Sequence, residues 1–342
     1  MTMTYPDIAA TEAAMRHLLV SDEPAFAPLY GMMQYHLGWL HEDFTPRSTL
    51  AGGKRLRPRI CLLCCAAAGG DAGRAISAAA AIELLHNFTL IHDDIQDGSS
   101  HRHHQGTVWH IWGMPQAITV GDGMYAIAHE ALLTLTETGV PAAAVVALAR
   151  EFNATVLRIC EGQYQDIGFE NRWDITGEDY LQMIGGKTAA LFAFSTRAGA
   201  LIGGADARRA GIYADLGTAI GLGFQLRDDL LGIWGAASVT GKPEADDIRR
   251  RKKSLPVILL HEGLNADDRA ALEALYARDE IAPDGVTTVI AQLDRASVRA
   301  ACEALVARFH ADAVALLDAT GATGTARDTL AALIEAMAVR EA

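Results

Sequence analysis

No stretch of this chain is apolar for long. The most hydrophobic segments are broken by Arg, Gly or Ser well before the ~18–20 residues that a membrane-spanning helix needs, so no integral membrane segment is predicted. Aromatic residues are scarce, at 6%, and alternating apolar and polar runs of useful length are absent, which argues against a sheet-based fold. Positive charge is also in short supply. Lys and Arg total 29 against 42 Asp and Glu, a formal net charge of −13. Such a surface repels nucleic acid, and no nucleic-acid partner is expected. The five cysteines, Cys61, Cys64, Cys65, Cys160 and Cys302, are odd in number and lack further zinc ligands at defined spacing. They read as small core residues in a reduced compartment. The N-terminal segment MTMTYPDIAATEAAMRHLLV has no basic region followed by an apolar block. A cytoplasmic protein is therefore expected, with about the first twenty residues flexible.

What is abundant is helix-forming sequence. Half of the residues are hydrophobic, with Ala and Leu recurring throughout. Over Ala78 to Asp97, Ile82, Leu85, Phe88, Ile91 and Ile95 recur at three- and four-residue steps and make one stripe. Gly98, Ser99 and Ser100 end that run. Similar segments occupy about 55–69, 120–137, 142–168, 178–202, 207–234, 253–263 and 266–278, with two or three more toward the C-terminus. Gly, Pro and Asp punctuate them. The expected fold class is all-α: one domain over residues 1–342, a single large helical bundle around a central apolar cavity.

Two acidic clusters stand out against this background. Asp93 and Asp97 are four apart and project from one helix face, and Asp94 lies about 100° round. Acids this close repel one another, more so among Leu90, Ile91 and Ile95. A divalent cation removes the conflict. Magnesium takes oxygen ligands, and is typically held by one or two carboxylates plus substrate phosphates. The second cluster, Phe224-Gln225-Leu226-Arg227-Asp228-Asp229-Leu230-Leu231-Gly232, repeats the acid pair inside an apolar helix. Basic residues gather at Gly52-Gly53-Lys54-Arg55-Leu56-Arg57-Pro58-Arg59 and at Arg249 to Lys253. Any one cluster alone reads as a solvated helix end. Together they suggest a site for a small phosphorylated anion and its metal.

In their order along the chain these motifs resemble the trans-isoprenyl diphosphate synthases, over nearly the whole length. The resemblance implies the isoprenoid synthase fold, a homodimer, and a prenyl transfer that joins an allylic diphosphate to isopentenyl diphosphate. Geranylgeranyl diphosphate (C20) is the implied product and farnesyl diphosphate (C15) the next. It implies Mg2+, three ions with bound diphosphate, held by Asp93, Asp94, Asp97, Asp228 and Asp229. Lys54, Arg57, His86 and His103 match the positions that bind isopentenyl diphosphate. Arg102, Lys187, Thr188, Gln225, Lys242 and Lys252 match those that bind the allylic diphosphate, and Gln163 and Asp166 also match the family pattern. Lys187 counts with the five aspartates as catalytic. Phe88 and Thr89, one turn before Asp93, match positions that set chain length.

The chain departs from the pattern twice. Gly232 stands where the family usually has a third aspartate, and His103 replaces the second arginine of a pair. His101, His103 and His104 find no matching transition-metal ligands elsewhere in the sequence. A terpene cyclase of the same fold is the alternative reading, though it has no use for a second diphosphate pocket. A non-catalytic modulating subunit is a third, though its first acidic motif should be lost.

Overall fold

Helices run through nearly every segment that the periodicity marks. The computed structural model describes residues 8–48, 53–102, 105–235 and 244–338. The helices are α1 (Ile8–Leu18), α2 (Ala27–His36), α3 (Leu56–Ala67), α4 (Ile76–Gln96), α5 (Val108–Trp112), α6 (Met114–Leu133), α7 (Ala142–Phe169), α8 (Gly177–Ile184), α9 (Ala190–Ile202) and α10 (Ala207–Trp234). They continue as α11 (Asp246–Arg249), α12 (Leu255–Gly263), α13 (Ala266–Tyr276), α14 (Pro283–Arg295), α15 (Val298–Ala319) and α16 (Thr325–Ala338). Among the described residues the only sheet is a two-stranded hairpin, β1 (His101–Arg102) and β2 (Gln105–Gly106). The all-α class holds.

Several details differ from the sequence reading. The segment expected from residue 120 begins at Met114, because Gly113, at φ 86°, ends α5 and Pro115 opens α6. The expected continuous helix over 178–202 is interrupted by a π-helical turn, Gly185–Ala189, which joins α8 to α9. Part of the N-terminal stretch expected to be flexible forms α1, with Met15 fully buried. One helical stretch, Ala72–Gln96, is long and apolar enough to cross a membrane, where none was expected. A short 3₁₀ turn runs straight into α4, so Arg74 does not break the stretch. It is mostly buried inside the protein, which is the setting of a core helix.

The chain divides into two compact units. The first comprises residues 1–153, 195–211 and 322–330. Its core is built on α4, where Ala78 to Ala81 are fully buried and their small side chains let neighbouring helices come close. The C-terminal part of α9 meets α3 the same way. A Cβ at Gly199 would stand 2.1 Å from the Cys61 carbonyl oxygen, and one at Gly203 would stand 2.3 Å from that of Cys65. Cys61, Cys64 and Cys65 are buried in this contact, and burial pushes the Cys65 thiol up to about 11. The core reading holds for these three and for Cys302, but Cys160 is exposed.

The second unit comprises residues 154–194, 212–321 and 331–342. Its core includes Tyr180, Leu226, Ile248, Val257, Val289 and Leu293, supplied by α8, α10, α11, α12 and α14. Thr176 and Asp179 form a capping box that starts α8 and fixes where Tyr180 points.

Candidate active site

In the first unit the structure separates the three aspartates of α4. Asp94 is buried, at 1% exposure, and Arg102 of the hairpin grips it. Nε of Arg102 donates to Oδ1 at 2.9 Å and to Oδ2 at 3.1 Å, while its Nη2 lies 2.8 Å from Oδ1. The sequence reading gave Asp94 to the metal and Arg102 to the allylic diphosphate. In this structure they hold each other, because a carboxylate so deep in the fold needs a cation of its own. Asp93 is half-buried and Asp97 exposed. Asp97 caps the C-terminal end of α4, and its N–H donates to the Asp93 carbonyl at 2.8 Å. Two carboxylates therefore stand at the negative end of a helix dipole, where a cation is favoured.

The basic segment before α3 divides in a similar way. Arg55, at φ 49°, turns its side chain inward. It donates to Glu12 at 2.8 Å, to Glu83 at 2.7 Å and to the Leu37 carbonyl at 3.0 Å, so it holds α1, α4 and the residue after α2 together. Lys54 remains exposed. Arg57 points elsewhere, with Nη1 3.0 Å from Nε2 of His86. A guanidinium can only donate, so Nε2 of His86 must accept and the ring carries its proton on Nδ1. Burial and then Arg57 hold the His86 pKa well below the ordinary histidine value, so the ring is neutral. Thr89 donates to the His86 carbonyl at 2.8 Å. The Phe88 ring lies 4.8 Å from His92 and 5.2 Å from Tyr125, within an aromatic group.

In the second unit α7 and the π-turn touch backbone to backbone. A Cβ at Gly162 would stand 2.2 Å from the Lys187 amide nitrogen, and one at Gly186 would stand 2.7 Å from the Arg158 carbonyl oxygen. Only glycines allow this approach. It sets Lys187 against Gly162, so that its Nζ meets Oδ2 of Asp166, one turn further along α7, at 2.5 Å. π-turns of this kind recur at functional sites. Thr188 donates to Gln225 at 2.9 Å, and Gln225 donates onward to Oδ1 of Asp229 at 3.1 Å.

Asp229 is buried and takes a further bond from the Tyr180 hydroxyl, at 2.6 Å to Oδ2. Burial pushes its carboxyl up to about 6, against the pull of Lys252 and the two hydrogen bonds. Lys252 keeps exposed surface but faces Asp247, Asp229, Asp166 and Asp228. Desolvation lowers its pKa, and these carboxylates outweigh that and hold it above the ordinary lysine value. Its neighbour Lys253 instead fastens the chain internally, donating to the Phe169 and Arg172 carbonyls, with Nζ over Trp173.

His103 and Lys242 lie outside the described residues. Sequence reasoning missed Tyr180 and Asp247. Tyr180 looks like any core residue of an amphipathic helix, and Asp247 precedes the lysines as one acid among several.

Among the described residues no group of three or more Asp, Glu, His or Cys is gathered closely enough to hold an ion by itself. Magnesium does not need one, since it is commonly bound through one or two carboxylates together with phosphate oxygens. The donor set is all hard oxygen, and Asp93 and Asp97 fit that use.

Known proteins are similar to this chain in sequence and fold. The Polyprenyl synthetase family profile matches residues 41–293. A geranylgeranyl diphosphate synthase of Mycobacterium tuberculosis is 42% identical over 289 residues, 83% of this chain and 79% of the relative. A (2E,6E)-farnesyl diphosphate synthase of Mycobacterium bovis is 40% identical over 264 residues, 77% of this chain and 72% of the relative. The crystal structure of a polyprenyl synthetase from Streptomyces coelicolor superposes with a TM-score of 0.86 at 35% identity, covering 96% of this chain and 97% of the other. With the family profile, these relatives and the fold in agreement, the chain belongs to the polyprenyl synthetase family.

Proposed function

We propose that this protein is a magnesium-dependent prenyltransferase that condenses an allylic diphosphate with isopentenyl diphosphate. The observation that carries chain elongation, rather than cyclisation, is the Arg57–His86 pair at 3.0 Å beside exposed Lys54. A cyclase handles one diphosphate and has no use for this second cationic pocket.

Bound magnesium supplies Lewis acidity that draws charge from the departing diphosphate. The chain's own residues do the rest. Asp93 and Asp97 in the first unit, and Asp228 and Asp229 in the second, offer carboxylates to magnesium and diphosphate, and Arg102 keeps Asp94 out of competition within the first. Lys187 is released from Asp166 to the diphosphate as negative charge grows there, with Lys252 and Lys242 in the same role. Thr188 and Gln225 hold Asp229 in orientation. Lys54, Arg57, His86 and His103 bind isopentenyl diphosphate, His86 as a neutral ring. The carbon–oxygen bond breaks, the isopentenyl double bond attacks the allylic cation, and the proton lost goes to the departing diphosphate. Apolar walls exclude water, which would otherwise capture the cation.

Phe88 and Thr89 limit the growing chain, with C20 the main product and C15 the next. The relatives include synthases named for both lengths. A homodimer is part of the proposal, supported by exposed Leu157, Tyr164 and Ile167 along α7. The test is incubation with magnesium, an allylic diphosphate and radiolabelled isopentenyl diphosphate. Label in a longer diphosphate is expected. An unlabelled hydrocarbon would establish the cyclase instead.

A further inference from the structure

Gly232 lies four residues after Asp228, on the same face of α10. The space its side chain would fill is taken by another residue. A Cβ built there stands 2.3 Å from Oδ2 of Asp247, 2.5 Å from its Cγ and 2.9 Å from Oδ1. Two covalent bonds separate a Cβ from its own carboxylate oxygens. The Asp247 carboxylate is therefore about as far from this point as the carboxylate of an aspartate at 232 would be.

Asp247 reaches this place from α11, and it is buried. Its carbonyl accepts from the Lys252 amide at 2.8 Å, so backbone as well as charge ties it to the lysine that faces Asp228 and Asp229. The Tyr276 hydroxyl is buried without a hydrogen-bond partner among the described residues. After burial, the charge of Asp247 is what raises its pKa, which places a polar group with unused capacity close to this carboxylate. The neutral explanation is that Asp247 only balances Lys252. That explanation accounts for the attraction between the two charges but not for the close fit to a residue-232 side chain.

We propose that Asp247 takes the part of the third carboxylate that the second acidic segment lacks, completing with Asp228 and Asp229 the oxygen set for magnesium and diphosphate. The inference rests on the prenyltransferase reading. It makes Gly232 and Asp247 a single feature, since a side chain at 232 would displace the carboxylate that now serves there.

The variants Asp247→Asn, Gly232→Ala, Gly232→Asp and the double Asp247→Asn/Gly232→Asp test it. Two quantities are read: the metal-free melting temperature, and the magnesium concentration that half-saturates the rise in Tm with inorganic pyrophosphate. Asp247→Asn is expected to raise the half-saturating magnesium about tenfold or more. Gly232→Asp alone should lower the metal-free Tm, and the double variant should recover both quantities toward wild type. Wild-type half-saturation in Asp247→Asn would overturn the proposal, as would a double variant no better than Asp247→Asn. If Asp247→Asn does not fold, Gly232→Ala decides: its methyl displaces the carboxylate without changing charge, and unaltered half-saturation would be decisive against the idea. No isopentenyl diphosphate enters these measurements. A failure of prenyl transfer in the labelling experiment therefore leaves their outcome standing.

Discussion

Gly162→Ala sets two effects of opposite sign against each other. Gly162 lies within α7, and by helix propensity alone an alanine there stabilises by about 1 kcal/mol. The added Cβ, however, would stand 2.2 Å from the Lys187 amide nitrogen, 2.8 Å from Lys187 Cα and 2.8 Å from the Met183 carbonyl oxygen. All three are backbone atoms, so no rotamer change relieves the clash and the π-turn must move. Overpacking of this kind costs about 1–3 kcal/mol or more, and with rigid backbone on both sides the upper part of that range applies. The net expectation is destabilisation by about 1–2 kcal/mol, the clash less the propensity gain. Gly168→Ala is the control. It lies on the same helix with nothing within 4 Å of its Cβ, so it should gain the propensity benefit alone. Thermal unfolding of both variants under one set of conditions reads the difference. The Lys187–Asp166 geometry should shift too, and a displacement of about 1 Å at such a group costs about 10²-fold in turnover. A Gly162→Ala protein as stable as Gly168→Ala, with wild-type turnover, would refute the reasoning.

Other outcomes are expected. Arg102→Ala strands the buried Asp94 carboxylate and should cost about 2–4 kcal/mol of stability, whereas Asp97→Asn, at an exposed position, should leave metal-free Tm nearly unchanged; thermal melts compare the two. Phe88→Ala removes a ring from the group with His92 and Tyr125 and should lengthen the products, which chromatography of the dephosphorylated alcohols will show. His86 is neutral when folded but takes a proton in the unfolded chain below pH ~6.5. Its contribution to stability is complete above that pH and is lost as pH falls toward the folded-state pKa, by up to about 1.4 kcal/mol per unit. His86→Gln should therefore flatten the acid limb of Tm against pH, and an identical limb in both proteins would contradict the assignment.

The long helices were legible because their apolar positions repeat over three turns or more. The helix α2 was not, since Ala27–His36 is short and its stripe weak, and α1 fell within the N-terminal stretch expected to be flexible. The π-turn leaves no periodic mark; only Gly185 and Gly186 side by side hint at it, and the reason for Gly186 is an approach by α7 that the sequence does not display. The chemical types of the site residues were also legible, but their pairings were not. Spacing put Asp93, Asp94 and Asp97 in one group, whereas depth within the fold gives Asp94 to Arg102. Adjacent basic residues divide likewise: Arg55 is structural beside Arg57, and Lys253 is structural beside Lys252. Asp247 was hidden because its meaning depends on a glycine fifteen positions earlier.

The most direct measurement is the set of products formed from the C5, C10 and C15 allylic diphosphates with labelled isopentenyl diphosphate and magnesium. Labelled diphosphates from each starter, converging on C20, are the expected result. No incorporation of label from any of the three would contradict the assignment of this chain as an elongating prenyltransferase.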